Sequence, residues 1–256
     1  MTPQQAFDDV MNRARRLMRL HDGLINTRQR SIRNDWRQSF CRLMHWPLNT
    51  PIERVDSVDA IVVLREGAAL QVGDFAQDTM DDLLRSAHVF VVSALDRYVH
   101  ERVCKGIIAS YKNSELLKEQ QEFAIPLKLA IEAAEALRRA QREGRQVRPA
   151  NEFRKAIQEL LHRRPFQSWR DIEYAFKLIG ISGLAGAIQQ RKGLPDVKEY
   201  KAELGRIVDR RHRIVHEGDL PRHQRGGQAL KAPISPKFVN DSITFIEDFV
   251  DQLEQI

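Results

Sequence analysis

Apolar positions recur at helical spacing through most of this chain. Phe7, Val10, Met11, Ala14, Leu17 and Met18 form one stripe, and Trp36, Phe40, Leu43 and Met44 form a second. Together they predict one or two helices between residue 4 and about residue 45, ended by Trp46-Pro47, with Asn49-Thr50-Pro51 as a loop. Ala60 to Arg65 and Ala68 to Val72, separated by Glu66-Gly67, read as a β-hairpin, the one strand candidate in the sequence. The strongest helical pattern runs from residue 78 to about 104. It opens on acids, which suit the positive end of the helix dipole. From Leu83 to Val99 it is apolar nearly all round, so neighbours must surround it. Asp96 sits inside that run. A buried carboxylate needs a partner, and arginine is the expected one.

Further helices are expected at about 113–143, 149–162, 168–178, 183–190, 196–217 and 236–254. Asn151 or Ser168 is placed to cap the helix after it, and Gly218 to end the 196–217 helix. In that helix Val197, Tyr200, Leu204, Ile207, Val208, Ile214 and Val215 are the expected core positions. Arg142 to Arg148 reads as a polar link, and Leu220 to Pro236 as a basic loop rich in Gly and Pro. Short links favour antiparallel packing. The expected fold is all-α, a helical bundle over residues 76–256. Residues 1–75 would form an N-terminal helical extension carrying the small hairpin.

Composition sharpens this picture. A hydrophobic fraction of 42% with 30% charged residues describes a folded chain. No apolar run is long enough for a membrane span, and the polar, acid-containing start does not resemble an export signal. Two isolated cysteines, Cys41 and Cys104, suggest a reducing, cytoplasmic compartment rather than a disulfide framework. The net charge of +6 and a pI near 9.5 favour polyanionic partners, nucleic acid first among them. Arginine outnumbers lysine in the basic clusters, which include 13–19, 28–42, 138–148 and 206–213. Its planar fork matches phosphate oxygens two at a time.

The candidate chemistry gathers in Arg211-His-Arg-Ile-Val-His216, an arginine and a histidine separated by four residues. Three readings of these residues are open. Cations at a helix C-terminus are favoured by the dipole alone. His212 and His216, at i and i+4, have a zinc-ligand spacing, although no second ligand pair accompanies them. The third is a phosphate-handling site. Five residues along an ideal helix turn through about 140°, so Arg211 and His216 do not share a face.

Arg210-Arg-His-Arg-Ile-Val-His-Glu-Gly-Asp-Leu220 resembles the signature of the HEPN superfamily of α-helical ribonucleases, in particular the RiboL-PSP type. Leu83 to Glu101 resembles the first core helix of that type. The resemblance spans roughly residues 78–256. It implies metal-independent, cofactor-free RNA cleavage, in which the substrate's 2′-hydroxyl attacks to leave a 2′,3′-cyclic phosphate. It further implies a homodimer with one composite cleft and a toxin or defence setting with an antitoxin or other inhibitory partner. Carried over, Arg211 would bind the scissile phosphate and His216 would move protons. His212 would make a secondary contact to phosphate or partner, and Asp96 would hold Arg211. Arg210 and Arg213 would be flanking RNA contacts. The alternative is a non-catalytic helical module that binds RNA or a partner protein.

Overall fold

The molecule is organised around its longest helix, α3 (Gln77–Asn113), in a computed structural model that describes residues 1–122, 125–144, 149–220 and 231–256. The all-round apolar pattern has its expected consequence. Leu84, Ala87, Val91, Val92, Leu95, Tyr98 and Val99 are all fully buried. Against α3 pack α1 (Pro3–Leu24), α6 (Pro149–His162), α7 (Trp169–Lys177), α9 (Lys198–Glu217) and α10 (Pro236–Glu254). The fold is therefore all-α apart from one small sheet.

Each neighbour is fixed by identifiable chemistry. Helix α1 starts in a capping box between Thr2 and Gln5, with Pro3 in its first turn, and buries Phe7, Met11, Ala14 and Met18. Helix α6 is tied to α3 by the buried Glu101, which accepts from Arg154 at 2.7 Å and Gln158 at 3.3 Å. Ser168 caps α7 by accepting from the Asp171 N–H. Helix α8 (Leu184–Lys192) is held to its neighbours through Asp248 on α10, which accepts from Lys192 and from the Tyr200 hydroxyl of α9. Helix α5 (Leu127–Arg142) packs on α6 and buries no residue of its own.

The N-terminal region departs from its expected outline. Helix α1 ends at Leu24, and Asn26 turns the chain with φ 59°. A three-stranded antiparallel sheet comes next: β1 (Arg28–Arg30), β2 (Ile52–Asp56) and β3 (Ile61–Arg65), in that order. Helix α2 (Asn34–Leu43) lies between β1 and β2 in the chain. The hairpin is thus β2–β3, closing at Ser57 to Ala60. The turn is not at Glu66-Gly67, and residues 68–71 are not a strand. Strand β2 reads Ile-Glu-Arg-Val-Asp, too polar to announce itself. It is held by burial of Val55 beside Leu64 and Phe75.

Two helix boundaries also move. Helix α3 runs on to Asn113, where Ser114 takes a left-handed conformation (φ 58°). Gly106 lets it pass Ile179, because a Cβ there would fall 2.4 Å from the Ile179 Cγ2. The expected 113–143 helix is instead α4 (Lys118–Gln121) and α5. Asn151 lies inside α6 and does not cap it. Residues 145–148 and 221–230, within the expected polar link and basic loop, lie outside the described residues.

Candidate functional site

Helix α9 carries the motif, and its geometry follows from its sequence. Leu204, Ile207 and Val208 form the buried stripe facing the bundle. Gly218 ends the helix in the left-handed region (φ 60°), and Asp219 stays there (φ 61°), its N–H donating to the Arg213 carbonyl at 3.0 Å. The apolar stripe does not continue to the end of the helix. Val215 is 45% exposed and Ile214 half-buried, so the last turn stands clear of the core.

On the solvent side, Arg206, Asp209, His212, Arg213 and His216 line an open groove of about 910 Å³. The two imidazole rings are 5.8 Å apart, centre to centre. Both histidines and Arg213 are exposed. The i, i+4 spacing that suggested a metal pair thus puts both rings on one wall. Among the described residues, no group of three His, Cys, Asp or Glu side chains is placed to hold a metal ion.

Arg211 is elsewhere. It continues the buried stripe on the opposite side of α9, half-buried, with its Nε closed off from solvent and without a hydrogen-bond partner. The roughly 140° between Arg211 and His216 on an ideal helix is not undone by any unwinding before Glu217. Arg211 is not among the residues that line the groove holding His216.

Asp96 does not hold Arg211. Its Oδ1 accepts from the Phe166 N–H at 2.6 Å and lies 3.7 Å from the His100 Nδ1. It is a partly exposed acid fixing the chain that leads into α7. Arg210, expected as an RNA contact, is buried. Its Nη2 donates to Asp219 at 2.7 Å and reaches the Ala232 and Pro233 carbonyls at 3.1 and 3.0 Å. Burial pulls its pKa below the ordinary arginine value, against the pull of Asp219.

The buried acid that pairs with arginine is Asp219, 1% exposed, and not Asp96. Its Oδ2 takes Arg210 from α9 and, at 2.9 Å, the Nε of Arg85 from α3. Arg85 also donates to the Ala232 carbonyl at 2.8 Å, and the Ala232 N–H donates to the Asp219 carbonyl at 2.8 Å. One carboxylate therefore joins α3, the end of α9 and the segment leading into α10. Nearby, the fully buried His88 on α3 pairs its Nε2 with the Ile207 carbonyl at 2.9 Å. Desolvation lowers its pKa to about 4, so it is neutral near pH 7 and donates through Nε2. Arg85 and Asp219 were not singled out from the sequence. The available signal was an arginine, Arg85, two residues into the all-round apolar run.

A family model, RiboL-PSP-HEPN, matches residues 65–256. No curated protein and no solved structure matches the chain.

Proposed function

The chain belongs to the RiboL-PSP-HEPN family, and on that premise we propose that it is a metal-independent endoribonuclease. The observation that carries this reading is the wall formed by His212, Arg213 and His216 on one open groove. RNA supplies its own nucleophile, the ribose 2′-hydroxyl, so the protein needs a base, an acid and a cation for the phosphate. His216 takes the 2′-hydroxyl proton, and His212 protonates the leaving 5′-oxygen. Histidine is the side chain most often used for such proton transfers. Arg213 contacts the phosphate as negative charge builds on it. The products are a 2′,3′-cyclic phosphate and a 5′-hydroxyl.

Arg211 enters this reading through a second copy. In a homodimer whose two-fold axis passes beside α9, the exposed Val215 and half-buried Ile214 would be covered. The Arg211 of one protomer would then face the groove of the other. A toxin or defence setting with an inhibitory partner, and a cytoplasmic location, belong to the same proposal.

The test is product analysis with mixed RNA in excess chelator. His216→Ala should lower the rate by about 10²–10⁴-fold with an unchanged melting temperature. Arg211→Ala should lower both rate and RNA affinity. RNA bound but never cut by the wild-type chain would favour the non-catalytic reading, and strict dependence on added Mg²⁺ or Zn²⁺ would overturn the mechanism.

A further inference from the structure

The family match begins at residue 65, and an arginine-rich surface of the protein lies before it. Arg28, Arg30, Arg33, Arg37 and Arg42 fall between β1 and the end of α2, with Asp35 as the one acid among them. No lysine occurs before Lys105. Phosphate recognition through planar, bidentate donors selects arginine in this way, whereas a merely soluble surface has no need to exclude lysine.

The scaffold beneath these arginines is built by aromatics. Trp36 and Phe40 stack at 5.2 Å, and Trp46 meets Phe40 edge-on at 5.9 Å. The Arg54 guanidinium lies over Trp36 and that of Arg65 over Trp46, at 5.2 and 5.6 Å, pinning α2 and the chain after it to β2 and β3. Arg28, Arg33 and Arg42 remain exposed, with no carboxylate partner among the described residues. Arg30 has Asp56 at 3.8 Å. A groove of about 360 Å³ opens between β1, α2 and β2, with Gln29, Arg30, Asn34, Arg37 and Glu53 in its wall. Arg37 donates to Asn34 at 2.5 Å, and its Nε, shut off from solvent, has no acceptor.

This arginine surface stands at the same end of α3 as the histidine groove. The sheet is anchored where α3 begins, by Val55, Leu64 and Phe75, by Thr27 donating to the Phe75 carbonyl, and by Ser57 donating to the Gly23 carbonyl. The end of α9 is anchored at Arg85, and Lys231 at Asp82. About 12 Å of helix axis separates Gln77 from Arg85.

We propose that residues 26–46 form a second RNA-backbone grip, holding phosphates of the same single strand that enters the α9 groove. The proposal rests on the endoribonuclease reading for its ligand, but its test does not depend on cleavage. The probe is a fluorescein-labelled, mixed-sequence 2′-O-methyl RNA, which keeps every phosphate and cannot be cut through its 2′-oxygen. Its anisotropy is followed against the wild-type chain and an Arg28→Gln/Arg33→Gln/Arg42→Gln variant between about 50 and 200 mM salt. These side chains are exposed, so the melting temperature should not move. Each lost phosphate contact on a single strand flattens the plot of log affinity against log salt by about 0.7, so the slope should become shallower by about 2. Affinity at about 0.1 M salt should fall roughly 10–100-fold. An unchanged slope overturns the grip while leaving cleavage at α9 untouched. No RNA binding by the wild-type chain overturns both readings. A reduced slope in a chain that cuts no natural RNA supports the grip and removes only the catalytic reading.

Discussion

Replacing Asp219 by asparagine should destabilise the protein more than any exposed change in the motif. The substitution keeps size and backbone, since asparagine tolerates the left-handed conformation that residue 219 adopts at φ 61°. What it removes is the single negative charge between the Arg85 and Arg210 guanidiniums, whose side chains are 8% and 11% exposed. Breaking a buried ion pair from one side typically costs about 3–5 kcal/mol. The Ala232 and Pro233 carbonyls still accept from the two arginines, which argues for the lower end, about 3 kcal/mol. A domain's whole stability is about 5–15 kcal/mol. Urea unfolding followed by circular dichroism is the assay. With an m-value of about 3 kcal/mol/M, the midpoint should drop by about 1 M. Asp219→Ala should lose roughly 1 kcal/mol more, because alanine is strained at this φ. Cleavage should fall as well, since the carboxylate fixes the chain immediately after His216. A midpoint that stays put in Asp219→Asn would refute the idea that charge, rather than shape, holds the end of α9.

Two further outcomes concern titratable groups on α3. His88 is neutral in the folded state, with its pKa lowered to about 4 by burial, while the unfolded chain titrates near 6.5. The unfolded state therefore binds more protons in that window. Stability should be level above about pH 6.5 and fall by about 3 kcal/mol as the pH drops towards 4. His88→Gln should flatten that window, and an unaltered pH slope would remove His88 as the cause. Asp96→Ala should cost about 1.5–3 kcal/mol by freeing the Phe166 N–H, with RNA affinity unchanged. A loss of affinity without a loss of stability would restore Asp96 to the site.

Much of this protein is legible in its sequence because helical periodicity is local. The apolar run from Leu83 to Val99 dictates a central helix, Gly218 dictates where α9 stops, and Ser168 dictates where α7 starts. The opposed faces of Arg211 and His216 follow from 3.6 residues per turn alone. The rest depends on partners distant in the chain. Strand β2 has no apolar alternation to announce it and exists because Val55 finds Leu64 and Phe75. A buried carboxylate paired with arginine was expected at Asp96, and the structure places that pairing at Asp219. That choice rests on which helix ends meet, across the 134 residues between Arg85 and Asp219. Burial also divides residues that the sequence places side by side. Arg210 is drawn inside by Asp219 and the returning carbonyls, while Arg213 and the two histidines, one turn further round α9, are left to the solvent and to whatever the groove admits.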